Sequence, residues 1–151
     1  MITLTHPEER AMRRFFAGLA ALQMLAVVAQ FFLAASGAFD TAPNDESFQA
    51  HRMLGAGVVL IAVLVTVVAA TARMPGRLIG MSGLVAGLAV VQFVIKAIAG
   101  ALDGTGGSTT AGELVFGLHA VNGLAIVAVT GRIIRQARQL ARPATTARQA
   151  P

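Results

Sequence analysis

The chain contains no cysteine, no tryptophan and no tyrosine, and it has little charge. Without cysteine the chain has no disulfide, no thiolate metal site and no iron–sulfur cluster. Cysteine usage therefore does not indicate whether the protein lies in an oxidising or a reducing compartment. Charged residues make up 13% of the 151 residues, whereas a soluble domain has roughly a quarter. Hydrophobic residues make up 56%. We therefore expect lipid, rather than water, to cover most of this chain.

Four apolar stretches are long enough to cross a bilayer, which takes about 20 residues of helix. They lie at about residues 15–37, 48–72, 78–101 and 114–131. Continuous apolar runs do not fit the alternating strands of a membrane barrel, and the first run exceeds the core of a cleaved signal peptide. The sequence predicts an all-α fold: a four-helix transmembrane bundle within residues 1–142, followed by a disordered tail at 143–151.

The basic residues are divided unequally between the two sides of this bundle. Ten of the twelve precede the first span, lie between the second and third spans, or follow the fourth: Arg10, Arg13, Arg14, Arg73, Arg77, Arg132, Arg135, Arg138, Arg142 and Arg148. The positive-inside rule then predicts a bacterial inner (plasma) membrane protein with both termini in the cytoplasm, and the charge of +5 indicates topology rather than nucleic-acid binding. Residues 133–142 are expected to form a basic amphipathic helix on anionic lipid.

The two halves of the chain resemble each other. Residues 25–31 read LAVVAQF and residues 88–93 read LAVVQF, a match that needs a slip of one residue. The second and fourth spans each carry a histidine with a glycine four residues later. Odd-numbered spans point the same way, so the halves are parallel repeats related by an axis along the membrane normal. This symmetry predicts that the second and fourth spans face each other across the bundle.

Several polar side chains are expected in one layer, in the outer half of the bundle. They are His51 and His119, with Gln30, Gln92 and Lys96 close by. The second helix is expected to begin at Asn44 or Asp45, which are good N-cap residues, and this start places His51 at the depth of His119. Because polar groups are costly in lipid, each is a functional candidate.

Two imidazoles at one depth on opposed helices suit the two axial positions of a haem iron. The predicted site is a single haem b, with these ligands and neighbours: His51, His119, Arg52, Lys96, Gln30, Gln92, Gly55 and Gly123. The glycines make room for the porphyrin, the two cations pair with the propionates, and the glutamines orient the ligand rings. The alternative is that the histidines are interfacial, the cations snorkel to the headgroups, and the glycines only allow close packing.

The histidine segments resemble a known family. His51-Arg52, four residues before a glycine, resembles the motif that opens the second helix of each half of haem A synthase. The segment from His119 to Gly123 resembles the matching stretch of its fourth helix. The resemblance covers nearly the whole chain as one half of that enzyme, and it implies a four-helix bundle with one histidine from each of two helices facing haem. Residues 39–46 also resemble small four-helix membrane proteins of unknown activity from high-GC bacteria.

Departures from the synthase pattern argue against its enzymatic activity. A glutamate lies three residues before the first histidine of that family, whereas Phe48 occupies this position here. Its outer-loop cysteines and its second half are also missing. Cytochrome b561-type carriers usually bind two haems with four histidines, and this chain has one such pair. The sequence therefore favours haem binding or electron transfer, with the lipid bilayer, a membrane redox partner or a second copy as partners. The alternative to haem binding is a non-catalytic accessory or scaffold protein. A small transporter or quinone-binding bundle is a third hypothesis.

Overall fold

The computed structural model describes residues 7–103 and 107–142, and these form four long helices and one short one. The helices are α1 (Pro7–Ala38), α2 (Asn44–Ser47), α3 (Gln49–Thr71), α4 (Gly76–Asp103) and α5 (Thr110–Ala141). All but α2 are long and apolar enough to cross a membrane. The predicted all-α fold with four spans is confirmed, and the chain is a multi-pass membrane protein. The tail predicted to be disordered, 143–151, lies outside the described residues.

The four long helices form a ring in which each packs against two others. Helix α1 contacts α3 and α5, and α4 contacts the same two helices. Helices α3 and α5, which carry the two candidate histidines, therefore lie on a diagonal of the bundle, as the repeat predicted. We call the end that carries residues 7 and 142 and the turn between α3 and α4 the termini end. The opposite end, with residues 39–48 and the start of α5, is the loop end.

Two helices are longer than their apolar stretches. Helix α1 begins at Pro7, and α5 continues without a break to Ala141. Ile133 and Ala137 are buried in the bundle, and Arg13 Nη1 donates a hydrogen bond to the Leu140 carbonyl at 3.5 Å. The helix expected over residues 133–142 is therefore present as far as Ala141, and its packing against α1 keeps it in line with the fourth span. Its contact with anionic lipid stays a prediction.

The helix of the second span does not begin at Asn44 or Asp45 as expected, although the span itself, expected from about residue 48, begins at Gln49. Pro43 occupies the N-cap position of the short α2, which has no side-chain cap among the described residues, and Phe48 separates α2 from α3. The turn at the other end of α3 is tight because Arg73 adopts a positive φ of 49°. The Met74 amide donates to the Ala69 carbonyl at 2.9 Å, so a Schellman-type turn ends α3.

The buried positions repeat with a fixed spacing. Adding 62 to the number of a buried α1 residue gives a buried α4 residue in five cases: Phe16 with Leu78, Ala20 with Ser82, Gln23 with Val85, Val27 with Ala89, and Gly37 with Ala99. A spacing of 68 relates all four buried α3 residues to α5: Val58 with Ile126, Ala62 with Thr130, Val65 with Ile133, and Ala69 with Ala137. The LAVV segments themselves are therefore offset by one residue from the spacing of 62 that relates the buried positions. The core has two-fold pseudosymmetry about the bundle axis.

The outward surface of the bundle is apolar. Large hydrophobic side chains on every long helix are half exposed or more, among them Leu25, Phe32, Met53, Leu60, Leu84, Leu114 and Leu124. A soluble protein rarely leaves so large a contiguous apolar surface uncovered. Lipid tails cover such a surface without the cost that it would have in water.

Candidate functional site

The structure brings the two predicted histidines together near the loop end. The ring centres of His51 on α3 and His119 on α5 are 6.2 Å apart, with 49° between the ring planes. Their helices are diagonal partners that make no direct backbone packing contact with each other among the described residues. The two side chains therefore reach across the bundle axis from opposite sides.

A main-chain hydrogen bond orients the ring of His51. Its Nδ1 lies 3.1 Å from the carbonyl oxygen of Gln30 on α1. A carbonyl oxygen only accepts, so Nδ1 carries a proton, and in the neutral imidazole Nε2 then holds the lone pair. Gln30 was expected to orient this ring, and it does so through its main-chain carbonyl. Its side-chain oxygen is buried without a hydrogen-bond partner among the described residues.

The ring of His119 has a related environment. The main chain of Gln92 lies beside it, and Gln92 is the counterpart of Gln30 at the spacing of 62. Nδ1 of His119 is buried but makes no hydrogen bond among the described residues, and the Gln92 side-chain oxygen is likewise unpartnered. Each histidine therefore has the main chain of a repeat-related glutamine beside it, and the hydrogen bond is formed at His51.

Two phenylalanines that the sequence analysis did not assign complete the pair. Phe48 packs edge-on against His51 with ring centres 6.3 Å apart, and Phe116 stacks on His119 at 5.3 Å. Each lies three residues before its histidine, and the two are related by the spacing of 68. That spacing was the signal that could have identified Phe116 from the sequence. These rings limit the rotation of both imidazoles.

The two glycines of the predicted site lie against side chains in the structure. A Cβ added to Gly55 would come 3.0 Å from Nε2 of Gln30, and one added to Gly123 would come 3.1 Å from the ring tip of Phe31. Phe93, the counterpart of Phe31, lies at 4.0 Å from the Gly55 position. The glycines therefore allow close side-chain packing, and the room predicted for a porphyrin edge is filled by these side chains.

The two predicted cations differ in their environments. The guanidinium of Arg52 bonds to the main-chain oxygen of Asp45 and lies 3.7 Å from its carboxylate. Lys96 is exposed near His119, without an ion pair among the described residues. Arg52 thus links α2 to α3 through its contacts with Asp45. The side chain of Lys96 is free to bind an anion near the loop end.

Three further polar side chains lie closer to the termini end, and the sequence analysis missed them. Gln23, Ser82 and Thr130 are each 1% exposed, and within the described part of the chain each has a buried oxygen without a hydrogen-bond partner. They line one cavity of about 10 Å³. Each of these polar residues has an apolar counterpart in the other half of the chain, so the comparison of the two halves did not reveal them.

Asn122 was also not assigned from the sequence. Its side-chain amide donates a hydrogen bond to the Leu88 carbonyl at 2.8 Å and links α5 to α4.

Comparison with known proteins gives one match. Residues 30–99 match a family of unknown function, DUF6220. The matched segment includes His51, Gln30, Gln92 and Lys96 but ends before His119. No curated protein and no solved structure matches the chain. The similarity to this family therefore supports no particular activity, and the resemblance to haem A synthase has no support from these comparisons.

Proposed function

We propose that this chain is a membrane protein that binds one b-type haem between His51 and His119. The observation that supports the proposal is the pairing of these rings across the bundle axis, with their centres 6.2 Å apart. A ring nitrogen binds a metal ion at about 2 Å, so two imidazoles on opposite sides of one ion have their centres about 6 Å apart. The observed separation fits this arrangement.

The protonation of His51 also suits an axial ligand. A ligating histidine usually donates its other ring N–H to a carbonyl or carboxylate, which fixes the tautomer and the orientation of the ring. The bond between Nδ1 of His51 and the Gln30 carbonyl leaves Nε2 free to bind a metal. Among the described residues no group of three or more His, Cys, Asp or Glu side chains could hold a metal ion. A pair of imidazoles suits haem, because the porphyrin supplies the other ligands.

Room for the porphyrin requires movement of a few side chains. The tips of Phe31 and Phe93 lie near Gly123 and Gly55, and these phenylalanines are 39% and 49% exposed. Because they already reach the lipid-facing surface, they can turn outward without crossing the core. With the Gln30 amide also turned away from Gly55, the two glycines would leave only main chain next to the porphyrin edge.

Haem supplies one-electron redox chemistry when it is bound. The chain's own residues would hold the ligand rings: the Gln30 carbonyl fixes the tautomer of His51, and Phe48 and Phe116 pack against the two imidazoles. Lys96 would pair with a propionate. A one-haem protein of this kind carries electrons to or from a redox partner in the membrane, and a second copy of the chain is another possible partner.

Haem titration tests the proposal. Protein purified in detergent from cells depleted of haem should bind added haem until one is bound per chain, as measured by the absorbance change. A plateau at two haems per chain, or a linear rise without saturation, would contradict a single specific site. The variant His6→Ala provides a control, because His6 precedes the spans.

Replacing Lys96 with alanine should weaken haem retention by roughly fivefold, since a partly solvated ion pair is worth up to about 1 kcal/mol. The rate of haem transfer to a soluble acceptor measures this loss. Lys96→Arg keeps the charge and should retain haem like the wild type. If Lys96→Ala does not change the transfer rate, the propionate contact is absent.

A non-catalytic accessory or scaffold protein is the second candidate function. The observation in its favour is that the glycine surfaces are already filled by Gln30 and Phe31. In this case the His51–Gln30 hydrogen bond only joins α3 to α1, and the two imidazoles stabilise the loop end of the bundle. A protein that remains colourless and stable when haem is abundant would favour this function.

We also propose that the chain lies in a bacterial inner membrane with both termini in the cytoplasm. The unequal distribution of basic residues supports this orientation. Reporter fusions after Gly76 and after Arg142 should give a cytoplasmic signal, and fusions near Asn44 and Gly107 should give an external one. An external signal after Gly76 would contradict the proposed orientation.

A further inference from the structure

An arginine-lined cleft lies between α4 and α5 at the termini end. Arg77 on α4 and Arg132 and Arg135 on α5 line it, together with Gln136 and Gln139, and its volume is about 320 Å³. No acidic side chain forms an ion pair with these arginines among the described residues. Three like charges in one cleft repel each other unless an anion lies between them.

We propose that this cleft binds the phosphate of an anionic phospholipid. Guanidinium groups bind phosphate oxygens with paired, charge-assisted hydrogen bonds, and the two glutamine amides add neutral donors. Basic pockets between transmembrane helices bind anionic lipid headgroups in this way. This proposal is independent of haem binding.

The position of the cleft identifies the source of the phosphate. Arg77 begins the apolar part of α4, and Lys96 lies about 28 Å farther along the helix at 1.5 Å per residue, close to the thickness of the hydrocarbon core. The cleft is therefore at headgroup level. Leu84, two turns from Arg77 toward the membrane centre, is half exposed and offers an apolar surface to an acyl chain.

The test compares two variants that each remove two charges from the same end of the bundle. Arg132→Gln/Arg135→Gln changes the cleft, and Arg10→Gln/Arg14→Gln is the matched control. Native mass spectrometry of detergent-solubilised protein measures the binding of added phosphatidylglycerol, with phosphatidylcholine and inorganic phosphate as separate probes. The cleft variant should bind phosphatidylglycerol roughly tenfold or more weakly per arginine removed, and the control should bind it like the wild type.

Three results would overturn the lipid site. Equal losses in the two variants would show diffuse attraction by net charge. Unchanged binding in the cleft variant would exclude these arginines as ligands. Thermal stabilisation by inorganic phosphate that equals the effect of phosphatidylglycerol would identify a soluble anion as the occupant instead.

The small cavity between Gln23, Ser82 and Thr130 is a separate feature. Its lining consists of four repeat-related pairs of residues, so the cavity lies on the pseudo-two-fold axis. The other lining residues are Ala20, Ala62, Val65, Val85 and Ile133. Thr66 and Thr71 donate to the carbonyls four residues earlier, as hydroxyls in membrane helices commonly do. The hydroxyls of Ser82 and Thr130 make no such bond to any residue that the structure describes.

We infer that this cavity holds one water molecule. Its volume of about 10 Å³ is close to the minimum for one water, and a buried water needs two to four polar partners. The side-chain oxygen of Gln23 can accept from it, and the two hydroxyls can donate to it or accept from it. A cation fits less well, because the cavity has no carboxylate in its lining and a buried charge without a partner is costly.

A structure in lipid at a resolution that shows waters tests this inference. Density within hydrogen-bond distance of all three side-chain oxygens is expected, and Gln23→Leu/Ser82→Ala/Thr130→Val should lose it. A dry cavity whose hydroxyls bond to their own helices would overturn the inference. Thermal stability that is higher in sodium than in choline would also overturn it, because that result identifies a cation.

Discussion

Replacing either His51 or His119 with alanine is expected to abolish the low-spin spectrum of the haem protein. Each variant leaves the iron with one protein ligand and an open position, which converts a six-coordinate site into a five-coordinate one. Absorption and electron paramagnetic resonance spectra of the reconstituted variants measure this change. The effect should be of the same kind for both residues, because the pseudo-two-fold axis relates them.

His6→Ala is the control and should keep the wild-type spectrum. Phe116→Leu is a second control, because it keeps both ligands but removes the ring stacked on His119. It should retain a low-spin signal. A wild-type spectrum in both the His51 and the His119 variant would show that haem binds elsewhere or without specificity.

Replacing Gly37 with alanine is expected to destabilise the loop end of the bundle by about 1–3 kcal/mol. A Cβ at this position would lie 2.7 Å from the main-chain oxygen of Ser47 and 3.1 Å from the ring of Phe48. Main chain cannot turn away as a flexible side chain can, so α2 must shift. Because Phe48 packs against His51, haem affinity should fall in the same variant.

Gly57→Ala is the matched control for this change. Nothing lies within 4 Å of a Cβ added to Gly57, and alanine is favoured over glycine in a helix by up to about 1 kcal/mol. This variant should be as stable as the wild type or slightly more stable in a detergent unfolding titration. Equal stability of Gly37→Ala and Gly57→Ala would show that α2 is not packed on α1 as described.

The spans could be predicted from the sequence because long apolar runs are a direct signal of membrane helices. The extension of α1 to Pro7 and the burial of Ile133 and Ala137 could not, because hydropathy identifies only the segments that contact lipid tails. Both features depend on helix–helix packing, such as the hydrogen bond from Arg13 to the Leu140 carbonyl. The break at Phe48 was also missed, since Asn44 and Asp45 belong to the separate short helix α2 rather than to the helix of the second span.

The histidine pair could be predicted from the repeat, whereas its surroundings could not. The sequence indicates that Gln30 and His51 lie at a similar depth in the membrane. Only the fold shows that the main-chain carbonyl of Gln30, rather than its side chain, is hydrogen-bonded to the His51 ring. The partner of Arg52 was missed for the same reason, because Asp45 approaches it through the shape of the loop. The polar cavity at Gln23 was not predicted, because each polar residue in its lining has an apolar counterpart in the other half of the chain.

The absorption spectrum of the protein as purified from cells supplied with ample haem tests the central claim most directly. If His51 and His119 both bind one iron, the reduced protein should show the sharp, split visible bands of a low-spin b-type haem, at one haem per chain. A colourless protein that is folded, monodisperse and unaffected by added haem would contradict the claim.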